Sequence, residues 1–424
     1  MTRSERCLLL GCILCLAGID AQAQFVQYNP PGTFEEKRES TEELLERSIK
    51  EARWRWGRFY AHPWIGIRNI TYVDPVTGVD GVETTDFTAS VGAGVRAYMP
   101  VGSELTLAIH ALPEYVWWRD LSERRRINGR YGVGLFGNLG RTGLELSATR
   151  NEDARIVSRE VEEQANIQDD VATASLEVDI GHGFAAFASG TLRSVSFREE
   201  ASQAATSFAA LERDEQVLRA GIKVELPRGL TVGIGLEDAQ VDFTQAPDRS
   251  LSGTSPILLL DYDAERFYLE AELAARDLEP DSGSRSVPYD DITGSFKAAW
   301  RFPGGSELQF FGAQNLVYSL NDRTAYFEDV SVGLGFKTNL TSQLSLRLFA
   351  QDGTNDYVDF EPAPVPRSDD YQAYGLDLRL ALGRFTLSLG ASQTDYDSNL
   401  PQFDRETTTI RSGLTLGLGG SPWG

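Results

Sequence analysis

The chain has 424 residues, 41% of them hydrophobic, and a formal net charge of −22. Such acidity argues against nucleic acid as a partner, since like charges would be brought together. Its three cysteines (Cys7, Cys12 and Cys15) all lie near the start, so the rest of the chain holds no disulfide framework, thiol nucleophile or cysteine metal site.

Residues 1–23 read as a signal peptide. Arg3 and Arg6 form a basic n-region, Leu8 to Ile19 an apolar h-region, and Ala21 and Ala23 supply small residues for cleavage. The mature chain is then expected to begin at Gln24, unlipidated. Leu9-Leu10-Gly11-Cys12 looks like a lipoprotein box, but it comes too early and leaves almost no apolar run before the cysteine. Two basic and two acidic side chains leave with the signal, so the net charge stays at −22. No later stretch approaches the run of about twenty apolar residues that a spanning helix needs.

Residues 24–58 form the next unit. Asn29 to Gly32 reads as loop, and Thr33 with Glu36 resembles a capping box. From there to about Trp56 the composition is helical, with Leu45, Ile49, Ala52 and Trp56 on one stripe. Two placements are open: a periplasmic arm anchored at the inner interface by Arg53 to Arg58, or a lumenal helix that narrows the barrel described next.

From residue 59 to 424, apolar and polar residues alternate with period two. Phe87, Ala89, Val91, Ala93, Val95, Ala97 and Met99 share one face, against Thr88, Ser90, Gly92, Gly94, Arg96 and Tyr98. Leu218, Ala220, Ile222, Val224 and Leu226 stand against Arg219, Gly221, Lys223 and Glu225; near the end Leu376, Leu378, Leu380 and Leu382 stand against Asp377, Arg379 and Ala381. Each such segment is a strand with one dry and one wet face. The connections alternate in length. Tight ones, rich in glycine, proline and asparagine, fall at 100–103, 139–142, 181–183, 227–229, 261–264, 303–306, 339–342 and 382–384. Long polar loops fall at 74–86, 119–126, 150–170, 198–215, 238–249, 277–291, 320–329, 352–370 and 395–406.

Short turns at one end and long loops at the other are the layout of an outer-membrane barrel. The expected fold is all-β: a closed, antiparallel, up-and-down transmembrane barrel of about eighteen strands, with both termini on the periplasmic, short-turn side. Its surroundings would be outer-membrane lipid and lipopolysaccharide, and the barrel assembly machinery would be a partner. Aromatic rings support two interfacial belts. Tyr98, Phe184, Tyr262, Phe267, Trp300, Phe302, Phe336 and Phe385 fall at short-turn ends; Tyr115, Trp117, Phe197, Tyr318, Phe327, Tyr357, Tyr371, Tyr374 and Tyr396 fall at long-loop ends.

The run Tyr60-Ala-His-Pro-Trp-Ile-Gly-Ile67, a long loop, and Phe87-Thr-Ala-Ser-Val-Gly-Ala-Gly94 together resemble outer-membrane β-barrel porins associated with bacterial exopolysaccharide clusters. The similarity spans about residues 59–424 and carries no functional residue across. It implies polysaccharide-export components as partners. One departure is the ending, Leu416 to Gly424, where such barrels usually close on an aromatic residue; either Leu418 or Trp423 would serve instead.

His110 shares a strand face with Glu114, and a base beside a carboxylate is the minimum for proton transfer. No serine near it is distinctive, while His62 before Pro63 and His182 between two glycines fit local structure, so no catalytic residue is assigned. The loop from Asp74 to Glu83 invites a calcium site, but Val76 and Gly78 occupy positions where an EF-hand needs oxygen ligands. No metal or cofactor is expected. The roughly 35 residues ahead of the barrel are too few for a globular plug.

The candidate lumen lining is Arg96, Glu114, Arg193, Arg219, Lys223, Glu225, Glu270, Glu272, Lys297, Arg301, Lys337, Arg347, Asp377, Arg379 and Arg411; with Glu145, Glu177, Asp179, Glu237 and Arg276 on the same faces the wall holds nine acids and eleven bases, close to neutral. The nine long loops together carry −25, so the excess acid is expected at the cell-exterior rim. Two functions fit: a channel for passive diffusion of small solutes with a preference for cations, or a structural barrel in exopolysaccharide export.

Overall fold

The structure, a computed structural model, describes residues 31–32, 41–77, 83–160, 164–198, 208–281, 284–383 and 385–417. The signal peptide, the Thr33 capping box, Leu418 and Trp423 lie outside the described residues.

An 11-residue helix, α1 (Thr41–Glu51), comes first. A short strand, β1 (Trp54–Trp56), leads into eighteen long staves. They are β2 (Phe59–Thr77), β3 (Glu83–Val101), β4 (Leu105–Trp118), β5 (Arg126–Leu139), β6 (Thr142–Ile156), β7 (Gln164–Gly181), β8 (Phe184–Phe197), β9 (Arg213–Leu226) and β10 (Leu230–Phe243). The second half comprises β11 (Leu251–Ala264), β12 (Phe267–Pro280), β13 (Tyr289–Arg301), β14 (Glu307–Tyr318), β15 (Thr324–Asn339), β16 (Leu344–Asp359), β17 (Ser368–Leu382), β18 (Phe385–Ser398) and β19 (Arg405–Gly417). Each stave pairs antiparallel with the next, and β19 returns to β2 with Leu416 opposite Ile65. The barrel is closed.

The hairpin ends follow from turn chemistry. His182 and Gly183 (φ +60° and +78°) put two consecutive residues in the left-handed region that their two-residue turn requires, and Arg228 and Gly229 (φ +75° and +78°) do so within the three-residue connection 227–229. One turn sits later than its residues suggest: β11 runs through 261–264, and Glu265 and Arg266 make the reversal. The long loops are shorter than they read, because staves continue beyond the apolar band; β6 reaches Ile156 and β16 reaches Asp359.

Apolar residues of one parity face outward and stay exposed. Leu218, Ile222, Ile234, Leu258 and Leu387 are examples. The opposite parity faces the enclosed lumen, where the main apolar core lies at the long-loop end, built on Ile167, Val195, Val217, Val241, Phe243 and Leu278. The aromatic belts need correction on these grounds. Tyr98 turns inward onto His62 (centroids 6.0 Å apart). At the long-loop end Phe327, Tyr357, Tyr371 and Tyr396 are buried on the inward parity, and Phe197 packs on the core. Tyr115 and Tyr374 remain exposed there. The helical stripe is also shorter than expected: Leu45 and Ala52 are buried, but Trp56 belongs to β1 and is exposed.

Parity gives a direct test at Ile222 and Lys223 on β9. Ile222 is 48% exposed on the outward face, and Lys223 points inward to Glu177 (2.6 Å). Ile222→Arg is expected to cost about 2–4 kcal/mol in reversible unfolding from lipid, and Lys223→Gln well under 1 kcal/mol. Equal costs would mean the faces are exchanged.

Candidate functional site: the barrel lumen

The inward wall is charged, and many of its charges are paired. On β8, Arg193 lies 2.8 Å from Asp169 of β7 and 3.3 Å from Glu215 of β9, which also holds Arg213 (2.7 Å). One level lower, Arg219 reaches Glu237 (2.8 Å) and Glu272, while Arg276 shares Glu237. Arg193 and Glu215, and Arg219 and Glu237, are directly opposed across a ladder, whereas Arg219–Glu272 and Arg276–Glu237 reach over intervening staves on the shared inward face. Lys297 approaches Glu270 (3.5 Å), Arg301 lies 3.8 Å from both Asp263 and Glu307, and Arg411 meets Asp377 (2.9 Å). Arg96 stands opposite His110 in the register, Glu114 opposite Gly92, and Lys337 opposite Glu307 and Arg347. Arg379 and the exposed Glu225 lie near the short-turn rim on the same parity.

At the long-loop end the chain crosses the lumen. Residues 157–160, just after β6, are buried, and their partners belong to staves on the far side. Arg159 stacks on Tyr371 (4.4 Å to the centroid) and lies 3.4 Å from Asp329, and its carbonyl accepts from Arg405. Glu160 accepts from the Ser319 hydroxyl (2.9 Å) and the Leu320 N–H (2.8 Å), with Arg367 at 3.9 Å. Arg367 is itself held by Asp369 and lies against the rings of Tyr357 (4.2 Å) and Phe403 (3.7 Å). β15 is nine staves from β6, half-way round an eighteen-stave wall. A segment anchored at both places divides the opening.

Nearer the short turns, α1 lies inside the barrel against β3 and β5. Leu45 joins Arg96, Tyr98, His110, Leu112 and Phe136 around a cavity of about 300 Å³, and His62 Nε2 donates to the Ser48 carbonyl (2.6 Å). Gly32 docks on the inward face of β16: its N–H donates to Gln351 (2.7 Å) and its carbonyl accepts from Arg347. With φ +70° and the Phe349 ring where a Cβ would stand, only glycine fits there. The lumen is therefore narrowed at two levels.

The chain superposes on solved bacterial proteins that include a porin and an outer membrane protein. OccK2 (OpdF) of Pseudomonas aeruginosa superposes with a TM-score of 0.51 at 12% identity, covering 85% of this chain and 98% of that one. The outer membrane protein opdK of the same organism gives 0.51 at 11% identity, over 84% and 98%. A BenF-like porin from Pseudomonas fluorescens Pf-5 gives 0.50 at 14% identity, over 85% and 99%. The fold is that of outer-membrane porins. No protein-family model matches the sequence, and neither does any curated protein.

The fifteen wall residues singled out from sequence all fall on the inward parity. Sequence reasoning missed the groups that cross the lumen. Glu160, Asp169, Glu215, Asp329 and Asp369 had been assigned to the exterior rim, yet all are buried and paired or hydrogen-bonded inside. Exposed acid remains at that end at Asp214, Asp238, Asp242, Asp277, Glu279 and Asp290, all on the outward parity of their staves. Carrying the strand parity upward from the apolar band would have turned Asp169 and Tyr371 inward. No local signal points Glu160 to Ser319, 159 residues away.

Two outcomes follow from this packing. Glu237→Ala, which strips Arg276 of its shared carboxylate inside the wall, is expected to cost about 3–5 kcal/mol in unfolding from lipid, whereas Arg411→Ala at a half-exposed pair costs about 1 kcal/mol or less. Burial pushes the Glu160 carboxyl above its ordinary range, against the pull of the Leu320 N–H, Ser319 and Arg367. The folded protein thus binds this proton at a higher pH than the unfolded chain does, and the stability it brings is present in acid and lost as pH rises through the raised value. Glu160→Gln mimics the protonated form, so it should leave acid stability unchanged and raise stability at neutral pH; a drop at neutral pH in thermal unfolding would reverse that sign.

Proposed function

We propose that the protein is an outer-membrane channel for passive diffusion of small polar solutes, with periplasmic termini and an acidic outer mouth that favours cations. The observation that carries this is the segment 157–160 lying across a charge-lined lumen. A barrel of this strand number has room for an aqueous path, and the crossing segment reduces it to a narrow one. The wall residues Arg96, Glu114, Arg193, Arg219, Lys223, Glu270, Glu272, Lys297 and their neighbours would bound that path. Pairing within the wall weakens its field, which leaves as the unbalanced charge the exposed carboxylates around the long-loop rim, on connections (Asp322, Glu361) and on the outward faces of the staves. Clustered carboxylates raise the local cation concentration.

A second function, a structural barrel serving polysaccharide export, is favoured by the close packing around Glu160, which is only 6% exposed. In either role lipopolysaccharide surrounds the long-loop end. Planar-bilayer recording separates the two. The channel is expected to conduct and to prefer cations in dilute salt, with the preference fading in concentrated salt, because screening shortens from about 10 Å at 0.1 M to about 3 Å at 1 M. A preference unchanged by salt would place the filter at the paired wall, and absence of current would favour the structural barrel.

A further inference from the structure

The wall parts at the β13–β14 seam, over a longer stretch than at β5–β6 or β19–β2. β13 and β14 are paired from Arg301 opposite Glu307 as far as Gly294 opposite Gln314, and there the ladder stops. Both strands continue. β13 remains paired with β12 up to Tyr289, and β14 with β15 up to Tyr318. Thr293 to Tyr289 and Asn315 to Tyr318 therefore diverge. The Ile292 N–H donates instead to the Asp291 carboxylate of its own strand (2.7 Å).

The β14–β15 tip has folded into the mouth. Leu316, Tyr318 and Tyr326 have the parity of lipid-facing residues, yet each is at most 5% exposed and packs in the lumenal core. The Tyr318 ring meets Phe243 edge-on (4.8 Å), and the Tyr326 ring meets Tyr289 (5.5 Å). Two charged side chains latch the tip. Glu160 takes the Ser319 hydroxyl and the Leu320 N–H, and Arg249 donates to the carbonyls of Ser319 (2.6 Å) and Asn321 (3.0 Å).

The sequence is patterned for a different pose. Extending the β13–β14 register one residue at a time places Leu316 opposite Ile292 and Tyr318 opposite Asp290. Leu316 would then join Ile292 on the lipid face, and Tyr318 and Tyr326, opposite each other on β14 and β15, would join the outer aromatic belt. That pose completes the ladder, which in hydrocarbon every edge tends to do. It gives up the burial of three apolar side chains and the two latches.

We propose that the β14–β15 tip, Asn315 to Tyr326, is a gate that moves between this infolded pose and a wall pose with the β13–β14 ladder complete. Infolded, it closes the long-loop mouth beside residues 157–160; in the wall, it widens the path. The proposal rests on the channel function, but the movement can be read without it.

Paired cysteines test the two poses in the chain from Gln24, where no other cysteine is present. Ile292→Cys with Leu316→Cys bridges the wall pose, since directly opposed strand residues have Cα atoms about 4.5–5.5 Å apart, within disulfide reach. Phe243→Cys with Tyr318→Cys, whose parent rings meet in the infolded pose, is joined there by a short bis-thiosulfonate linker that reductant also cleaves. Folded variants, selected by compact migration before heating, would be oxidised or treated with the linker in the membrane and then recorded in bilayers. Both pairs are expected to cross-link. The 292–316 bridge should increase the current and the 243–318 bridge should reduce it, with reductant reversing each. Failure of the 292–316 pair to form in folded protein, or its formation without any change in current, would overturn the gate. If even reduced protein carries no current, the channel function fails, while cross-linking of both pairs would still establish the movement.

Discussion

Inside a bilayer no water is available to backbone N–H and C=O groups, so each must find a partner within the protein. This constraint governs the molecule. Closure of β19 on β2 joins the first and last staves, and the ladder absorbs a register shift between Ser412 and Leu414 to do so. Where that pairing stops, at Gly417 opposite Trp64, β1 continues along the same edge of β2 with Trp54 opposite Ala61. The outward rings of Trp56 and Phe59 stack there (5.9 Å). An aromatic surface at the short-turn seam is thus supplied by the start of the barrel.

A closed wall has one side for lipid and one for whatever fills the lumen. Here the filling is layered. Paired arginines and carboxylates line the middle, and an apolar core with buried rings occupies the long-loop end. The charges of Arg193, Arg219, Arg276 and Lys297 are tolerable inside because each is close to an opposite charge, and the cost appears when one partner is removed. The cation–π contacts of Arg159, Arg367 and Arg405 add to this at the crossing, where guanidinium planes cover Tyr371, Tyr357 and Tyr396. Rigid rings and planar cations hold an irregular segment in place without regular structure of its own.

Much of the architecture was legible in the sequence, and for a physical reason. Lipid on one face and water on the other force a period of two, so the facing of Ile222, Lys223, Leu376 and Asp377 could be read directly. Closure and the even strand number follow from the same pattern. Contrast fades above the apolar band, where both faces are polar. There Asp169 and Asp170 look alike, although one is buried against Arg193 and the other pairs outward with Arg150 (2.6 Å). Counting rings near loop ends also failed, because Tyr371 and Tyr374 differ in parity and not in kind. The crossing of the lumen by 157–160 depends on partners from β15, β17 and β19, which no local pattern encodes.

The central claim is that water runs along the inward parity of this wall. Neighbouring residues on β8 offer the most direct measurement: Ser189 faces the lumen and Ala188 faces outward. In a chain without other cysteines, Ser189→Cys and Ala188→Cys would be exposed in bilayers to a charged, membrane-impermeant thiol reagent while current is recorded. The account predicts that Ser189→Cys reacts and loses current as it does so, and that Ala188→Cys, covered by lipid, stays unmodified. Modification of Ala188→Cys with Ser189→Cys unreactive would contradict it.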